Sequence, residues 1–190
     1  MIVWCVPHLV RGCNYKPREG ILMSEHVSVR EMQEGDLSEV VKIQAYCYTE
    51  VAPESPASLL SKLRASPTTC FVAVINRLVV GYLISLPWEF SNPPTLNIEI
   101  GELPTNPDCL YLHDLAVAAS ARKLGAGRAL VDRFLMMFQR FEVDRAALIA
   151  VQDSAPYWKR YGFRSAIRDL ALNEKLLSYG PNVEYMELVK

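Results

Sequence analysis

Long apolar runs are missing from this chain of 190 residues, and no stretch suffices to cross a bilayer. Paired cysteine motifs are missing too. The five cysteines, Cys5, Cys13, Cys47, Cys70 and Cys109, are odd in number and scattered, with no C-x-x-C pair. The three histidines, His8, His26 and His113, lie far apart. These absences argue against a zinc site and a disulfide framework. No metal is expected, and reduced thiols in a cytoplasmic compartment are the simpler reading. Charge of either sign is not in excess: 20 basic and 21 acidic residues leave a formal charge of −1. That balance supplies no field to hold nucleic acid or an anionic membrane, so neither is an expected partner.

What is present is a chain with 51% hydrophobic residues, enough for one domain with a sizeable core. Residues 1–22, MIVWCVPHLVRGCNYKPREGIL, show neither alternation nor helical period. Their charges follow the apolar part, which Pro7 and His8 interrupt, unlike a signal peptide. Met23 then opens MSEHVSVREMQEGDLSEV as a fresh start. The expectation is a tail over residues 1–22 outside the core and a single domain over residues 23–190. Deleting the tail should leave a folded, active protein; loss of solubility would overturn that.

HVSVR, ending at Arg30, alternates and predicts a first strand. GDLSEVVKIQAYCY predicts a helix with Asp36 as its cap and Glu39 as capping-box partner. A short second helix is expected around Leu59 to Leu63. TCFVAVI and LVVGYLISL predict two strands joined by a tight turn at Asn76 and Arg77. A proline-rich connection follows, with a short strand at LNIEI. LYLHDLAV, apolar except for His113 and Asp114, fits a strand buried within a sheet. RALVDRFLMMFQRF carries Leu130, Phe134, Met137, Phe138 and Phe141 at helical spacing. AALIAV, SAPYWKRY and NVEYMELVK predict a strand, a short helix ended by Gly162, and a closing strand. The order is β-α-α-β-β-β-α-β-α-β, a mixed α/β arrangement.

Between LYLHDLAV and the following helix stands ARKLGAG, with Gly125 and Gly127 at the helix start. A helix start has unpaired N–H groups and partial positive charge. Glycines let an anion approach that backbone. Arg122, Lys123 and Arg128 add side-chain charge. This is phosphate-binding chemistry. The Walker A pattern is absent, and the dinucleotide fingerprint fails because Leu130 stands where its third glycine belongs. A nucleotide-binding enzyme of that type is therefore disfavoured.

ARKLGAG does match the [RQ]-x-x-G-x-[GA] loop of the GCN5-related N-acetyltransferases. LYLHDLAV before it, and AALIAV and PYWKRYGF after it, resemble the same family's elements in the same order. LHDLAV and PYWKRYGF are most similar to the arylalkylamine N-acetyltransferase branch and its bacterial relatives. The resemblance spans residues 27–190, with the motifs between Tyr111 and Phe163. It implies a mostly antiparallel sheet with helices on both faces and central strands splayed around acetyl-CoA, the co-substrate. It also implies that the backbone of Leu115, Ala116 and Val117 pairs with the pantetheine arm. The loop Arg122, Lys123, Leu124, Gly125, Ala126, Gly127 and Arg128 then holds the pyrophosphate.

Acetyl transfer to an amine needs a neutral amine, a donor for the developing oxyanion and a proton or positive field for the departing thiolate. His113 is the base candidate, since an imidazole titrates near working pH. In the arylalkylamine branch a histidine at the corresponding place assists deprotonation. The second histidine, two residues earlier in that branch, is Tyr111 here. Many family members carry a tyrosine as acid four residues before the terminal G-F pair. Here that place is Trp158, flanked by Tyr157 and Tyr161, and either tyrosine can substitute. Trp158 is read as lining the coenzyme channel. Asp114 is expected on the opposite face of the strand from His113.

The acceptor is expected between YTEVAPESPASLL and SLPWEFSNPPTL, with Tyr46, Tyr48, Trp88 and Phe90 as an aromatic wall and Glu50, Glu54 and Glu89 drawing a cationic amine. These features imply a small-molecule amine as acceptor, with the protein a monomer or homodimer. A protein N-terminal or lysine acetyltransferase, and a non-catalytic acyl-CoA-binding sensor, stay open as rivals.

Overall fold

The structure is a computed structural model that describes residues 26–48, 52–167, 169–177, 179 and 182–190. The expected tail, Cys5, Cys13, His8 and Glu50 lie outside the described residues. The elements are β1 (Ser28–Glu31), α1 (Leu37–Cys47), α2 (Pro56–Ala65), β2 (Cys70–Ile75), β3 (Leu78–Trp88), β4 (Cys109–Val117), α3 (Ala126–Phe138), β5 (Arg145–Ala150), α4 (Ala155–Lys159), β6 (Arg164–Ser165), α5 (Leu170–Leu177) and β7 (Glu184–Val189). The strands form one seven-stranded sheet in the order β1-β2-β3-β4-β5-β7-β6. Every pairing is antiparallel except β4 with β5.

Alternation along the strands divides the core into two faces. One carries Val72, Tyr82, Ile84, Tyr111, Ala147 and Ile149, and receives α1, α2 and α5 through residues such as Val40, Leu59 and Leu172. The other carries Phe71, Leu83, Leu112, Leu148 and Met186, and receives α3 and α4 through Leu130, Phe134 and Trp158. All nine residues of β4 are buried. This is the mixed sheet with helices on both faces that the sequence implied.

Several local expectations change. Asp36 does not cap α1 with its side chain, because a 3-10 turn over Glu34–Asp36 already sets it in helical geometry, whereas a capping residue needs an extended backbone. Its carboxylate instead accepts from the Gln33 amide and from both terminal nitrogens of Arg30. Glu39 pairs with Lys42. LNIEI is not a strand. Its backbone is satisfied by side chains: Asn97 N–H donates to Glu54, Ile100 N–H to Ser61, and the Ile98 carbonyl accepts from Ser58 and Lys62. Phe141 lies beyond the end of α3. Two elements were not expected, β6 and α5; Asp169 caps the latter by accepting from Leu172 N–H at 2.8 Å. The Asn76–Arg77 turn is as expected, with both residues at positive φ, 50° and 68°, as the favoured two-residue hairpin turn requires.

Candidate active site

The sheet parts in its middle. β4 pairs with β5 only through Leu110↔Ala146, Tyr111↔Ala147 and Leu112↔Leu148. On its other side β4 stays paired with β3 as far as Gly81↔Val117. The Ala118 amide donates to the Val80 carbonyl at 2.8 Å. By the alternation of a strand, the amides of Leu115 and Val117 then face away from β3, toward the opening. A Cβ on Gly81 would lie 3.1 Å from the Ala116 carbonyl and 3.2 Å from Val117 Cγ2, so the close approach of β3 to this edge depends on glycine.

The loop after β4 runs as a 3-10 stretch over Ala119–Leu124 and turns into α3 at Gly125, whose φ is 86°. The first bond of α3 joins Ala129 N–H to the Gly125 carbonyl, so the amides of Ala126, Gly127 and Arg128 precede the helical ladder. Lys123, Leu124 and Gly125 are exposed. Arg128 is exposed beside Asp132 at 3.6 Å. Arg122 turns inward: its Nε lies 3.4 Å from the Val117 carbonyl and Nη2 3.9 Å from Cys47 Sγ. It ties the loop to the end of β4. A Cβ on Gly127 would sit 3.5 Å from Tyr157 Oη and 3.6 Å from Val117 Cγ2. Strand end, helix start and tyrosine hydroxyl therefore meet. An amide-bearing arm along the strand edge and a diphosphate at the helix start both fit what these residues offer.

A β-bulge marks the point of parting. The register moves from Ser85↔Leu112 to Ile84↔Asp114, leaving His113 as the extra residue. A bulge breaks alternation, and so His113 and Asp114 both lie on the α1–α2 face. This corrects the expectation that Asp114 points the other way. Its carboxylate accepts hydrogen bonds from Tyr48, Tyr82 and Gln44. Burial pushes the Asp114 carboxyl up to about 6 against the pull of those donors.

His113 is 1% exposed. Its Nε2 lies 3.1 Å from Glu54 Oε2, and its Nδ1 is buried with no partner among the described residues. Burial pulls the imidazole down to about 4, beyond what the Glu54 charge restores. The ring is therefore neutral at pH 7, but the expectation that it titrates near working pH is corrected: burial takes the imidazole well below that range. Glu54, expected to draw a cationic amine, instead has its carboxylate taken up by residues of the chain. It is 4% exposed, and it receives Lys62 Nζ at 3.2 Å and the Asn97 amide at 2.7 Å. Burial opposes its charge, but His113, Lys62 and the Asn97 amide hold its carboxyl well below the ordinary range. The sequence reading did not connect Glu54 and Lys62 with His113.

Tyr157 is largely buried, and burial raises its hydroxyl far above the ordinary phenol range, so it keeps its proton. Tyr161 donates to it at 3.3 Å. Trp158 is fully buried, edge-on to Tyr157 and Phe163 at 5.0 and 5.6 Å between ring centroids. No part of its side chain is exposed, so it offers no open surface to the coenzyme. The aromatic wall is not assembled either. Tyr46 is 82% exposed, Tyr48 is in the core on Asp114, and Phe90 packs on Tyr185 with Arg145 above its ring. Trp88 donates to the Asn92 carbonyl, and the exposed Glu89 accepts from the Asn92 amide.

Comparison with known proteins assigns the class. Residues 37–163 match the acetyltransferase (GNAT) family, and the chain belongs to that family. It is an acyltransferase that uses acetyl-CoA. No curated protein matches the sequence. Among solved structures, Ard1 from Thermoplasma volcanium superposes with a TM-score of 0.64 at 19% identity, over 86% of this chain and 97% of that one. Naa50 from Arabidopsis thaliana, in complex with a bisubstrate analogue of CoA and a short peptide, gives 0.61 at 15% identity over 86% and 99%. N-acetylglutamate synthase from Neisseria gonorrhoeae, with coenzyme A and N-acetyl-glutamate, gives 0.63 at 14% identity, over 88% of this chain and 36% of that one. At such identities these likenesses establish the fold, and they span protein and small-molecule acceptors. Among the described residues no helix is long and apolar enough to cross a membrane.

Proposed function

We propose that this protein transfers the acetyl group of acetyl-CoA to the primary amine of a small molecule by direct attack in a ternary complex. The observation that carries the reading is His113: a neutral, buried imidazole whose Nδ1 has no partner among the described residues, placed at the bulge where the sheet parts. Acetyl-CoA supplies a thioester carbonyl as the electrophile. The β4 edge at Leu115, Ala116 and Val117 orients the arm, and the loop from Arg122 to Arg128 receives the diphosphate. As the amine nitrogen bonds to the carbonyl carbon, His113 takes the amine proton. As the carbon–sulfur bond breaks, Tyr157 donates a proton to the sulfur. Tyr157 is preferred to Tyr161 because it sits at the start of α3 while Tyr161 backs it. Positioning of both reactants supplies much of the remaining rate.

The LHDLAV and PYWKRYGF motifs favour the arylalkylamine branch. The peptide-derived ligand of Naa50 keeps a protein N-terminus as the second reading. The test is chromatographic detection of free CoA and acetylated product, with acetyl-CoA offered to arylalkylamines, polyamines, amino acids and short peptides. Product on a small amine supports the proposal. Product on peptides alone moves the acceptor to the second reading. Acetyl-CoA binding without any product would make the chain a sensor.

A further inference from the structure

The most unusual group of side chains in the molecule lies behind His113, away from the residues assigned to acetyl-CoA. Glu54, just ahead of α2, and Lys62, two turns into it, are both buried, with side chains 1% and 0% exposed. An ion pair taken wholly out of water is weak evidence of stabilisation, because desolvation offsets the attraction. Its cost points to a role in fixing geometry. Each charge here is fully engaged. Glu54 Oε1 accepts from the Asn97 amide, and Oε2 meets both Lys62 Nζ at 3.2 Å and His113 Nε2 at 3.1 Å. Lys62 Nζ is also held by Ser58 Oγ at 2.7 Å and the Ile98 carbonyl at 3.2 Å.

We infer that Glu54, clamped by Lys62, is the positioning residue of the reaction: it holds the proton of His113 on Nε2 and so makes Nδ1 the atom that accepts the amine proton.

The chemistry follows from the donor set. A carboxylate accepts hydrogen bonds and gives none. A neutral imidazole facing Glu54 must present Nε2–H, and its lone pair then lies on Nδ1. Nδ1 is the ring nitrogen left without a partner among the described residues. When Nδ1 takes the amine proton, the imidazolium forms beside a carboxylate already oriented to stabilise it. Lys62 keeps that carboxylate ionised without competing for Nδ1, since its contacts are Glu54, Ser58 and Ile98. The other titratable groups around His113 are Tyr111 and Asp114 on β4, with Tyr48 after α1 and Tyr82 on β3. The two latter tyrosines are committed to Asp114. The Tyr111 ring centroid is 6.1 Å from that of His113, and its hydroxyl, like Nδ1, has no partner among the described residues.

This inference rests on His113 being the base, and its test separates the two claims. The full chain is labelled with ¹⁵N-histidine, and His113 is assigned by its loss in His113→Gln. The expected spectrum at pH 7 has a pyrrole-type Nε2 carrying the proton and a pyridine-type Nδ1. A proton on Nδ1, or an even mixture of tautomers, overturns the inference. Kinetics complete the test. Glu54→Gln should lower kcat by roughly 10- to 100-fold, part of the gain a positioned base contributes, and move the acid limb of the pH profile down, with KM for acetyl-CoA little changed. In the His113→Gln background Glu54→Gln should have no further effect on kcat, because both act through one group. Losses that multiply overturn the positioning role. If His113→Gln alone leaves turnover and its pH profile intact, the base is elsewhere and the functional reading fails, whatever tautomer the spectrum shows.

Discussion

At the scale of single residues, two neighbours on β4 carry opposite perturbations. His113 titrates near 4, below its ordinary value, and Asp114 near 6, above its own. The stability contributed by a neutral buried histidine is complete above about pH 6.5 and is lost as pH falls toward 4. That contributed by a buried protonated carboxyl is complete below about pH 4 and is lost as pH rises through 6. Across pH 4.5–6 the two slopes cancel. His113→Gln removes one of them. We expect that variant to gain about 2 kcal/mol on acidification from pH 6 to 4.5, relative to the parent. Urea midpoints at a series of pH values measure this, and parallel curves for the two proteins would rule out the cancellation. The same substitution should cut turnover by about 10²-fold or more. Tyr157→Phe should lower kcat while Tyr161→Phe changes it less than threefold; the reverse order in steady-state kinetics would make Tyr161 the donor.

At the scale of elements, β3 follows β4 closely along the edge that has parted from β5, and Gly81 is what permits that approach. Gly81→Ala places a methyl 3.1 Å from the Ala116 carbonyl. Such overpacking costs about 1–3 kcal/mol and should raise KM for acetyl-CoA by displacing the edge at Leu115 and Val117. Isothermal titration with acetyl-CoA reads the accompanying loss of affinity, and an unchanged Kd would detach the edge from coenzyme binding. β1 to β5, β7 and the loop into α3 were legible in the sequence because they rest on local signals: alternation, buried runs and glycines at a helix start. LNIEI misled because its backbone is satisfied by side chains of Glu54, Ser58, Ser61 and Lys62 and not by a neighbouring strand. The bulge at His113 was not, since no residue type in LYLHDLAV requires it, and missing it put Asp114 on the wrong face. Glu54 and Lys62 escaped for a related reason. Their partner lies 59 residues from Glu54, and no spacing rule links a residue ahead of one helix to the middle of a strand. The short β6 and the polar helix α5 carry too weak a periodicity to be read.

At the scale of the whole molecule, the sheet is two blocks, β1 to β4 and β5 to β7, joined by three residue pairs and by the elements laid across both faces. The amides of Leu115 and Val117 have a place in a sheet but, among the described residues, no strand opposite them. If acetyl-CoA binds there as proposed, it takes the place of a missing strand along an interior edge. Backbone hydrogen exchange should show those two amides slowing sharply when acetyl-CoA binds, while those of β2 stay unchanged. The melting temperature should climb with ligand concentration, by the equivalent of about 2.7 kcal/mol at a hundred times Kd. Under the proposed reading the co-substrate would do for this fold what a prosthetic group does for others: it would complete the hydrogen bonding that the described strands leave open at Leu115 and Val117, and each turnover would leave that interior edge bare again until the next acetyl-CoA arrives.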